Sequence, residues 1–238
     1  MKLANIIDSI LDFIFPPKCP FCEEILTEKI PVCSKCMDSI PFIEGNTCEC
    51  CGRPVEEFSY KLCRQCNSEK RYFEHSFAPL IYKDDAKKVI LMLKHNYHPY
   101  YAKALAFLIA DKILTSEFYT EFSFITCVPE NSKTIKERGY NHAELIAKEL
   151  SKLLKIPFTK TLIRTNDSKR QATLNREERR KNVRKSYFPG DKTFDGGTVL
   201  IIDDVYTTGE TTNYCSRLLH KIGFEKVYLG IATIRLSD

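Results

Sequence analysis

The sequence lacks any apolar run long enough to cross a bilayer, since a membrane-spanning helix needs about 20 consecutive apolar residues. Its first apolar segment, residues 1–15, carries Asp8 and Asp12 where the core of a secretory signal peptide would be uncharged. We therefore expect a cytoplasmic protein with no membrane span. The helical spacing of the apolar residues in this segment predicts a short amphipathic helix docked on the protein body, with docking on a membrane surface or a partner as the alternative.

A phosphate-binding loop of the ATPase type is also missing. The chain contains no G-x-x-x-x-G-K-[ST] segment, which is the loop that cradles nucleotide phosphates in ATP-driven motors. The sequence has no internal repeat or low-complexity tract either. With 238 residues and 43% hydrophobic content, it suits one or two domains that bury a real core.

Charge is distributed unevenly along the chain. Residues 1–75 carry 9 Lys+Arg against 12 Asp+Glu, whereas residues 76–238 carry 27 against 19. A polyanionic partner such as nucleic acid or a polyphosphate would prefer the later part. The alternative is a solvated basic surface without a dedicated ligand.

Cysteine is concentrated in the early, acidic part. Nine of the eleven cysteines lie between Cys19 and Cys66, and eight of these form C-x-x-C pairs. The pairs are Cys19/Cys22, Cys33/Cys36, Cys48/Cys51 and Cys63/Cys66. Two such pairs complete the tetrahedral thiolate shell of a closed zinc site. We therefore predict two structural Zn²⁺ sites, with sequential and cross-braced pairing both open.

The zinc is expected to be structural because catalytic zinc keeps an open position and usually includes histidine. The nearest histidine, His75, lies outside the cysteine pattern. We assign residues 1–75 to the N-terminal helix and a small cysteine-rich zinc-binding domain. Since this part is acidic, a brace or a docking site for a protein partner is favoured over nucleic-acid binding.

Residues 76–238 show the alternation of short apolar runs and helical segments that is typical of an α/β domain with a mainly parallel sheet flanked by helices. Asn141 is a predicted helix N-cap, and Gly223 is predicted to stop a helix. We expect strands at 77–82, 122–128, 198–203 and 226–234, and helices at 86–95, 100–114, 141–154 and 211–222.

The segment VLIIDDVYTTGETT, residues 199–212, predicts a ligand site. Asp203 and Asp204 fall at the expected end of a strand, where α/β proteins bind ligands, and ionised carboxylates can accept hydrogen bonds from vicinal sugar hydroxyls. The loop 206–211 then enters a helix, whose exposed amides favour a phosphate. Together these features indicate a ribose 5-phosphate. The alternatives are an unrelated enzyme with acids at a strand end, or direct Mg²⁺ binding by the two acids.

The same segment resembles the phosphoribosyl pyrophosphate (PRPP) signature of type I phosphoribosyltransferases. Together with CVPENSKTIKERGYNHAELIAKEL, RTNDSKRQATLNREERRKNV and the preceding cysteine pairs, it resembles the ComF family of competence proteins across nearly the whole chain. The sequence departs from that family at His142, where Gln is more usual.

The resemblance implies a type I phosphoribosyltransferase-like domain that binds PRPP with Mg²⁺. Asp203 and Asp204 would hold the ribose hydroxyls, and Lys94 would lie where this superfamily cradles pyrophosphate. Arg138, which follows the strand before Pro129, is expected at the same cleft. The predicted PRPP-binding set is Asp203, Asp204, Tyr206, Thr207, Thr208, Gly209, Glu210 and Thr211.

The basic stretch 164–185 lies where related transferases keep a mobile loop. It is either that loop, a contact surface for single-stranded DNA, or a solvated helix. The candidate nucleic-acid contacts are Arg170, Arg176, Arg179, Arg180, Lys181, Arg184 and Lys185.

Two functions compete at this stage. The ComF resemblance implies a PRPP-binding protein of natural competence that handles incoming single-stranded DNA in the cytoplasm. The alternative is an active, Mg²⁺-dependent phosphoribosyltransferase of nucleotide metabolism, similar to the amidophosphoribosyltransferases, with an unknown acceptor. Whether turnover occurs is left open.

Overall fold

The computed structural model describes residues 16–28, 30–55, 61–95, 98–165 and 183–236. The helix predicted within residues 1–15 lies outside these ranges. Among the described residues, no helix is both long and apolar enough to cross a membrane.

The described secondary structure follows the predicted alternation of strands and helices. The helices are α1 (Ser34–Met37), α2 (Arg64–Ser68), α3 (Asp84–His95), α4 (Tyr101–Leu114), α5 (Ser132–Arg138), α6 (His142–Leu154) and α7 (Glu210–Lys221). The strands are β1 (Ser76–Phe77), β2 (Leu80–Ile81), β3 (Phe124–Cys127), β4 (Leu162–Arg164), β5 (Tyr187–Pro189), β6 (Thr198–Tyr206) and β7 (Lys226–Ile234). A short helical turn also covers residues 183–186.

The main sheet is parallel and has the order β1-β7-β6-β3, with β2 also paired to β7. Its central strand β6 is apolar on both faces, because Val199, Leu200, Ile201 and Ile202 are all fully buried. Continuous apolar runs are typical of parallel strands covered on both sides. The predicted mainly parallel α/β architecture is therefore confirmed. Strands β4 and β5 form a separate antiparallel pair that the sequence analysis did not predict.

Helices cover both faces of the sheet. Successive side chains of a strand point to opposite sides, so neighbouring residues of β6 pack against different helices. Leu200 and Ile202 belong to one core with α4 and α6. Val199 and Ile201 belong to a second core with α7. The loops and helix starts that connect these layers meet at the carboxyl ends of β3 and β6.

Two predicted strands have different bounds in the structure. The strand expected at 77–82 is divided into β1 and β2 at Pro79, whose nitrogen has no proton to donate. The strand expected to end at Asp203 continues to Tyr206, because β7 pairs with it as far as Tyr206↔Ile234. The two acids are therefore part of the strand and do not lie beyond it.

Helix α6 begins as predicted. The Asn141 side chain accepts a hydrogen bond from the Ala143 amide at 3.0 Å, which satisfies one of the free amides of the first turn. Asn141 also donates to the Val128 carbonyl at 3.0 Å, so the cap ties the helix to the segment after β3. Gly223 follows α7 with a positive φ of 113°, as expected for a residue that ends a helix.

The cysteine-rich part packs directly on the sheet. The Ile43 amide donates to the Pro79 carbonyl at 2.8 Å, and the Ile81 amide donates to the Pro41 carbonyl at 2.9 Å. Ile40 belongs to one core cluster, and Ile43 belongs to the other. Both hydrophobic cores therefore contain residues from the cysteine-rich part and from the rest of the chain. The division into residues 1–75 and 76–238 stays a prediction.

Candidate functional site

The eight paired cysteines form two clusters, and each contains two successive C-x-x-C pairs. The first cluster is Cys19, Cys22, Cys33 and Cys36, and the second cluster is Cys48, Cys51, Cys63 and Cys66. The pairing left open by spacing is therefore sequential. Within each cluster the four sulfurs lie within 4.8 Å of one another.

These sulfurs fit one zinc ion in each cluster. Four sulfurs that each lie 2.3 Å from a central ion are about 3.8 Å apart at tetrahedral geometry. The Cys22 and Cys33 sulfurs are 3.6 Å apart, and the Cys51 and Cys63 sulfurs are 3.7 Å apart. A disulfide would bring two sulfurs to about 2.05 Å. The clusters thus fit the predicted structural zinc sites.

A cavity of about 410 Å³ opens at the carboxyl end of the sheet. Strand β3 ends at Cys127, opposite Ile202, so β6 extends past it and leaves Asp203 and Asp204 without a strand on that side. Both acids line the cavity, as do Lys94 from α3 and residues 206–212. The structure therefore brings together most of the residues that the sequence analysis selected.

Lys94 contacts the acid pair directly. Its Nζ is 2.8 Å from Oδ2 of Asp204, and both side chains are largely buried. The Asp204 amide donates to Oδ1 of Asp203 at 3.0 Å. Two neighbouring carboxylates are thus held in one site with a single close ammonium group.

The two acids have different proton affinities. Burial raises the pKa of Asp203 to about 8, and the negative charge of Asp204 contributes in the same direction. Burial alone would also raise the pKa of Asp204, but Lys94 and His142 lower it below its ordinary value. Near neutral pH, Asp204 is ionised, whereas Asp203 retains most of its proton.

His142 is a site residue that the sequence analysis did not select. Arg138 donates from Nη1 to His142 Nε2 at 3.1 Å, so the imidazole proton of the neutral ring must be on Nδ1. That nitrogen is 3.4 Å from Oδ2 of Asp204. Burial, with help from Lys94 and Arg138, lowers the pKa of His142 to about 4, so the ring is neutral at pH 7. The departure from the ComF pattern at this position was the available signal.

Arg138 therefore lies at the cleft as predicted. It lines the cavity and contacts Asp204 only through His142. Glu130 and Arg164 also line the cavity and form an ion pair, with the Arg164 guanidinium 5.1 Å from the centre of the Tyr187 ring. The cavity lining thus includes the cationic side chains of Lys94, Arg138 and Arg164.

Residues 206–211, here called the phosphate loop, connect β6 to α7. Gly209 is the N-cap of α7 and has a φ of 73°, which favours glycine. A Cβ at Gly209 would also collide with the ring and hydroxyl of Tyr206, which lies directly beneath it. The loop residues, Thr208 and Thr211 among them, line the cavity at the start of a 12-residue helix.

Two side chains next to the second cluster donate hydrogen bonds to backbone carbonyls of the phosphate loop. Arg53 donates from Nη2 to the Thr207 carbonyl at 2.7 Å, and Gln65 donates from Nε2 to the Thr208 carbonyl at 2.9 Å. Neither residue was selected from the sequence, because 143 or more positions separate each donor from its acceptor.

Five of the seven predicted nucleic-acid contacts lie outside the described residues, namely Arg170, Arg176, Arg179, Arg180 and Lys181. Arg184 and Lys185 are exposed on the helical turn 183–186, which adjoins the cavity through Val183.

A second groove lies beside the first cavity and shares Val183 and Glu210 with it. It has a volume of about 300 Å³. Lys70 Nζ lies 5.2 Å from the centre of the Tyr72 ring, and the Arg217 guanidinium lies 5.7 Å from it. We call this the basic groove, and its defining side chains are Lys70, Tyr72, Arg184, Tyr214 and Arg217.

Comparison with known families assigns both parts of the chain. Residues 10–68 match the family described as double zinc ribbon domain, and residues 134–235 match the phosphoribosyl transferase domain family. The fold, the two cysteine clusters and these matches thus define a double zinc ribbon joined to a phosphoribosyl transferase domain.

Curated relatives match this chain over most of their length. Competence protein F of Haemophilus influenzae is 25% identical over 222 residues, covering 84% of this chain and 96% of that protein. Competence protein ComFC of Bacillus subtilis is 27% identical over 201 residues, covering 81% and 79%. DNA utilization protein YhgH of Escherichia coli O157:H7 is 26% identical over 196 residues, covering 81% and 85%. The predicted ComF-type protein is confirmed: this chain is a homologue of competence proteins F and ComFC.

Among solved structures, glutamine PRPP amidotransferase from B. subtilis superposes with a TM-score of 0.39 and 19% identity. The superposition covers 55% of this chain and 26% of that one. This similarity is too low to bear on function.

Proposed function

We propose that the cavity binds PRPP together with Mg²⁺, and that the protein uses this site while handling incoming single-stranded DNA in the cytoplasm. The observation that carries the first part is the shared cavity, which is lined both by Asp203 and Asp204 and by the phosphate loop. Carboxylates accept hydrogen bonds from a ribose diol, and the loop at a helix start suits its 5-phosphate.

Magnesium fits the acidic side of this cavity. Mg²⁺ prefers oxygen ligands and is usually held by one or two carboxylates plus substrate phosphates. Burial and the charge of Asp204 favour the protonated form of Asp203 in the free site. A nearby divalent cation would reverse that preference and make Asp203 a carboxylate ligand. The ion would neutralise the pyrophosphate group when PRPP is bound.

Lys94 is assigned to the pyrophosphate side of the ligand. Its ammonium group lines the cavity while it pairs with Asp204 at 2.8 Å. The charge of Asp204 and, to a lesser extent, that of Asp203 raise the pKa of Lys94 above its ordinary value despite burial, which would lower it. Lys94 therefore stays cationic and can attract a phosphate group over the whole neutral pH range.

The DNA-handling part rests on the basic groove and on the relatives. A single strand binds through cations that contact its phosphates and aromatic rings that stack on its bases. The basic groove offers Lys70, Arg184 and Arg217 next to two tyrosines, although Glu69 and Glu210 also line it. The curated relatives are named for competence and DNA utilization, which favours this role over nucleotide synthesis.

Calorimetry with PRPP tests the first part. We expect PRPP to bind only with Mg²⁺, and more tightly than pyrophosphate or ribose 5-phosphate alone. The variant Asp203→Ala/Asp204→Ala should lose this binding, whereas Asp191→Ala/Asp195→Ala, which removes two exposed acids, should retain it. Equal binding by both variants would reject the site.

Fluorescence anisotropy with an oligo(dT) strand tests the second part. Binding should weaken steeply with salt, and Lys70→Ala/Arg217→Ala should reduce the slope of log K against log salt by about two, one for each lost phosphate contact. The control Lys103→Ala/Lys226→Ala removes two exposed lysines elsewhere and should leave the slope unchanged. Absence of binding at a low salt concentration of about 50 mM would reject the DNA-handling role.

A further inference from the structure

We propose that the second cluster positions the phosphate loop, and that Arg53 and Gln65 thereby set the affinity of the site for a ribose 5-phosphate. This inference rests on the proposed function for its ligand, but its structural content is independent of any ligand. Arg53 lies two residues after Cys51, which ends the first C-x-x-C pair of the second cluster, and Gln65 lies inside the second C-x-x-C pair, between Cys63 and Cys66. Each half of the cluster therefore contributes one donor to the loop.

Both donors are held rigidly by the fold of the cluster. The Cys48 amide donates to the Arg53 carbonyl at 2.8 Å, and the Gly52 amide donates to the Cys48 carbonyl at 2.9 Å. Gly52 has a φ of 70°, and a Cβ there would lie 2.5 Å from the Ser76 carbonyl oxygen of β1. The segment around Gly52 thus packs closely against strand β1 at the edge of the sheet. The four clustered sulfurs connect this segment to the second C-x-x-C pair, which contains Gln65.

The two hydrogen bonds orient the amides that face the ligand. Because a trans peptide is planar, its N–H points away from its C=O. A Thr207 carbonyl directed at Arg53 therefore turns the Thr208 amide to the opposite side. The Thr208 carbonyl, directed at Gln65, does the same for the Gly209 amide. Arg53 and Gln65 do not line the cavity, whereas the loop does, so the amides are directed towards the ligand side.

Buried side chains fill the space behind the loop. The Arg71 side chain is only 4% exposed, pairs with Glu69 at 3.4 Å, and interacts electrostatically with Cys66 and Tyr206. A zinc ion with four thiolates carries a net charge of about −2, so a buried guanidinium is suitably placed to balance it. Tyr206 in turn lies under Gly209. A continuous set of contacts therefore runs from the cluster to the loop.

Two variants with matched controls test the positioning role. Arg53→Ala and Gln65→Ala each remove one donor, while Arg64→Ala and Asn67→Ala remove an exposed side chain of the same type from the same cluster. We expect each donor variant to weaken Mg²⁺-dependent PRPP binding by about threefold to tenfold, as for the loss of one hydrogen bond. The double variant should lose more than about tenfold. Zinc content, measured by mass spectrometry of the metal, should stay the same in all five proteins.

Hydrogen exchange separates this inference from the proposed function. In the free protein, the amides of residues 208–211 should exchange faster in the double donor variant than in the wild type, and the controls should match the wild type. If exchange accelerates and no protein binds PRPP, the positioning role holds and the proposed ligand is wrong. If exchange and affinity both stay unchanged in the double variant, the positioning role is wrong. Loss of zinc from the donor variants would also overturn it, because the residues would then support the metal site itself.

Discussion

The two cysteine clusters have almost the same sequence pattern but different surroundings. Ten residues separate the pairs of the first cluster, and eleven separate those of the second. In the first cluster Cys22 is exposed, and Cys19 and Cys36 belong to the core shared with α4 and α6. The second cluster packs with α7 and reaches the phosphate loop. The same cysteine motif thus packs into the core of the fold at the first cluster and contacts the candidate ligand site at the second cluster.

The path of the chain after each cluster explains this difference. The segment after the second cluster runs beside α7, where the Tyr72 amide donates to Asn213 Oδ1 at 2.8 Å and His220 Nε2 is 3.1 Å from the Tyr72 carbonyl. The first cluster instead contacts α3 through an exposed ion pair between Glu23 and Lys88. Within the part of the chain that the structure describes, the hydrogen bonds to α7 thus come from the segment after the second cluster, and α7 is the helix whose start lines the candidate site.

Removing one ligand from each cluster gives the largest expected contrast. Cys51→Ser should release one equivalent of zinc and weaken PRPP binding by more than about tenfold, because the loop loses the hydrogen bonds that Arg53 and Gln65 donate to it. Cys22→Ser should release one equivalent and leave PRPP affinity within about threefold. Metal analysis, calorimetry and circular dichroism measure these effects.

The predicted difference between the two clusters would be wrong if Cys22→Ser abolished PRPP binding as completely as Cys51→Ser while both proteins remained folded. Both clusters would then act on the site through general stability. A folded Cys51→Ser protein with unchanged PRPP affinity would remove the link between the second cluster and the loop.

The pH dependence of binding separates the acid pair from the loop support. Asp203 has a raised pKa of about 8, so it holds its proton below that pH and must lose it to bind Mg²⁺ or to accept hydrogen bonds from the ribose with both oxygens. PRPP affinity should therefore rise with pH between 6 and 8, by at most about tenfold per unit. In Asp203→Asn this rise should be lost, so that the only pH dependence of PRPP affinity that remains is the one caused by titration of the PRPP phosphates. Arg53→Ala should shift the whole profile to lower affinity without changing its shape.

Parallel curves for the wild type and Asp203→Asn would show that another group controls the pH dependence. A change of shape in Arg53→Ala would show that the loop support and the acid pair are coupled, in which case the cluster acts on the entire cavity.

Much of this fold could be predicted from local pattern. The apolar run that ends in Asp203 and Asp204 indicated a buried parallel strand followed by a ligand site, and Asn141 indicated the start of α6. Both the cysteine clusters and the phosphate loop consist of residues close together in sequence, so their spacing was sufficient to select these residues, although it left the pairing of the cysteines open. The extension of β6 to Tyr206 was missed because it depends on pairing with β7.

The missed residues are those whose role depends on distant partners. His142 matters because Arg138 and Asp204 lie on either side of its ring. Arg53 and Gln65 matter because their partners belong to a loop at the other end of the chain. Spacing along the sequence carries no signal for such contacts, and charge gave none either, since the cysteine-rich part is acidic overall.

The attachment of the second cluster to α7 can be weakened without touching the metal or the loop. Asn213→Ala would leave the Tyr72 amide and the Lys70 carbonyl without their partner, since Asn213 accepts from the first at 2.8 Å and donates to the second at 3.1 Å. We expect the free energy of unfolding to fall by about 1–3 kcal/mol. Urea unfolding measures this change, and retention of full stability would show that the segment is held by packing alone.

The matching change at the first cluster should have the smallest effect. Lys88→Ala removes the ion pair with Glu23, whose 3.2 Å contact joins two side chains that are each about half exposed. Exposed ion pairs contribute at most about 1 kcal/mol, because water screens the charges and both side chains lose conformational freedom. Unfolding in urea should therefore change by less than about 1 kcal/mol, zinc content should stay constant, and PRPP affinity should not change. A loss of stability as large as that of Asn213→Ala would mean that the first cluster is fastened to the fold as firmly as the second, and that their different roles arise only from the contacts of Arg53 and Gln65.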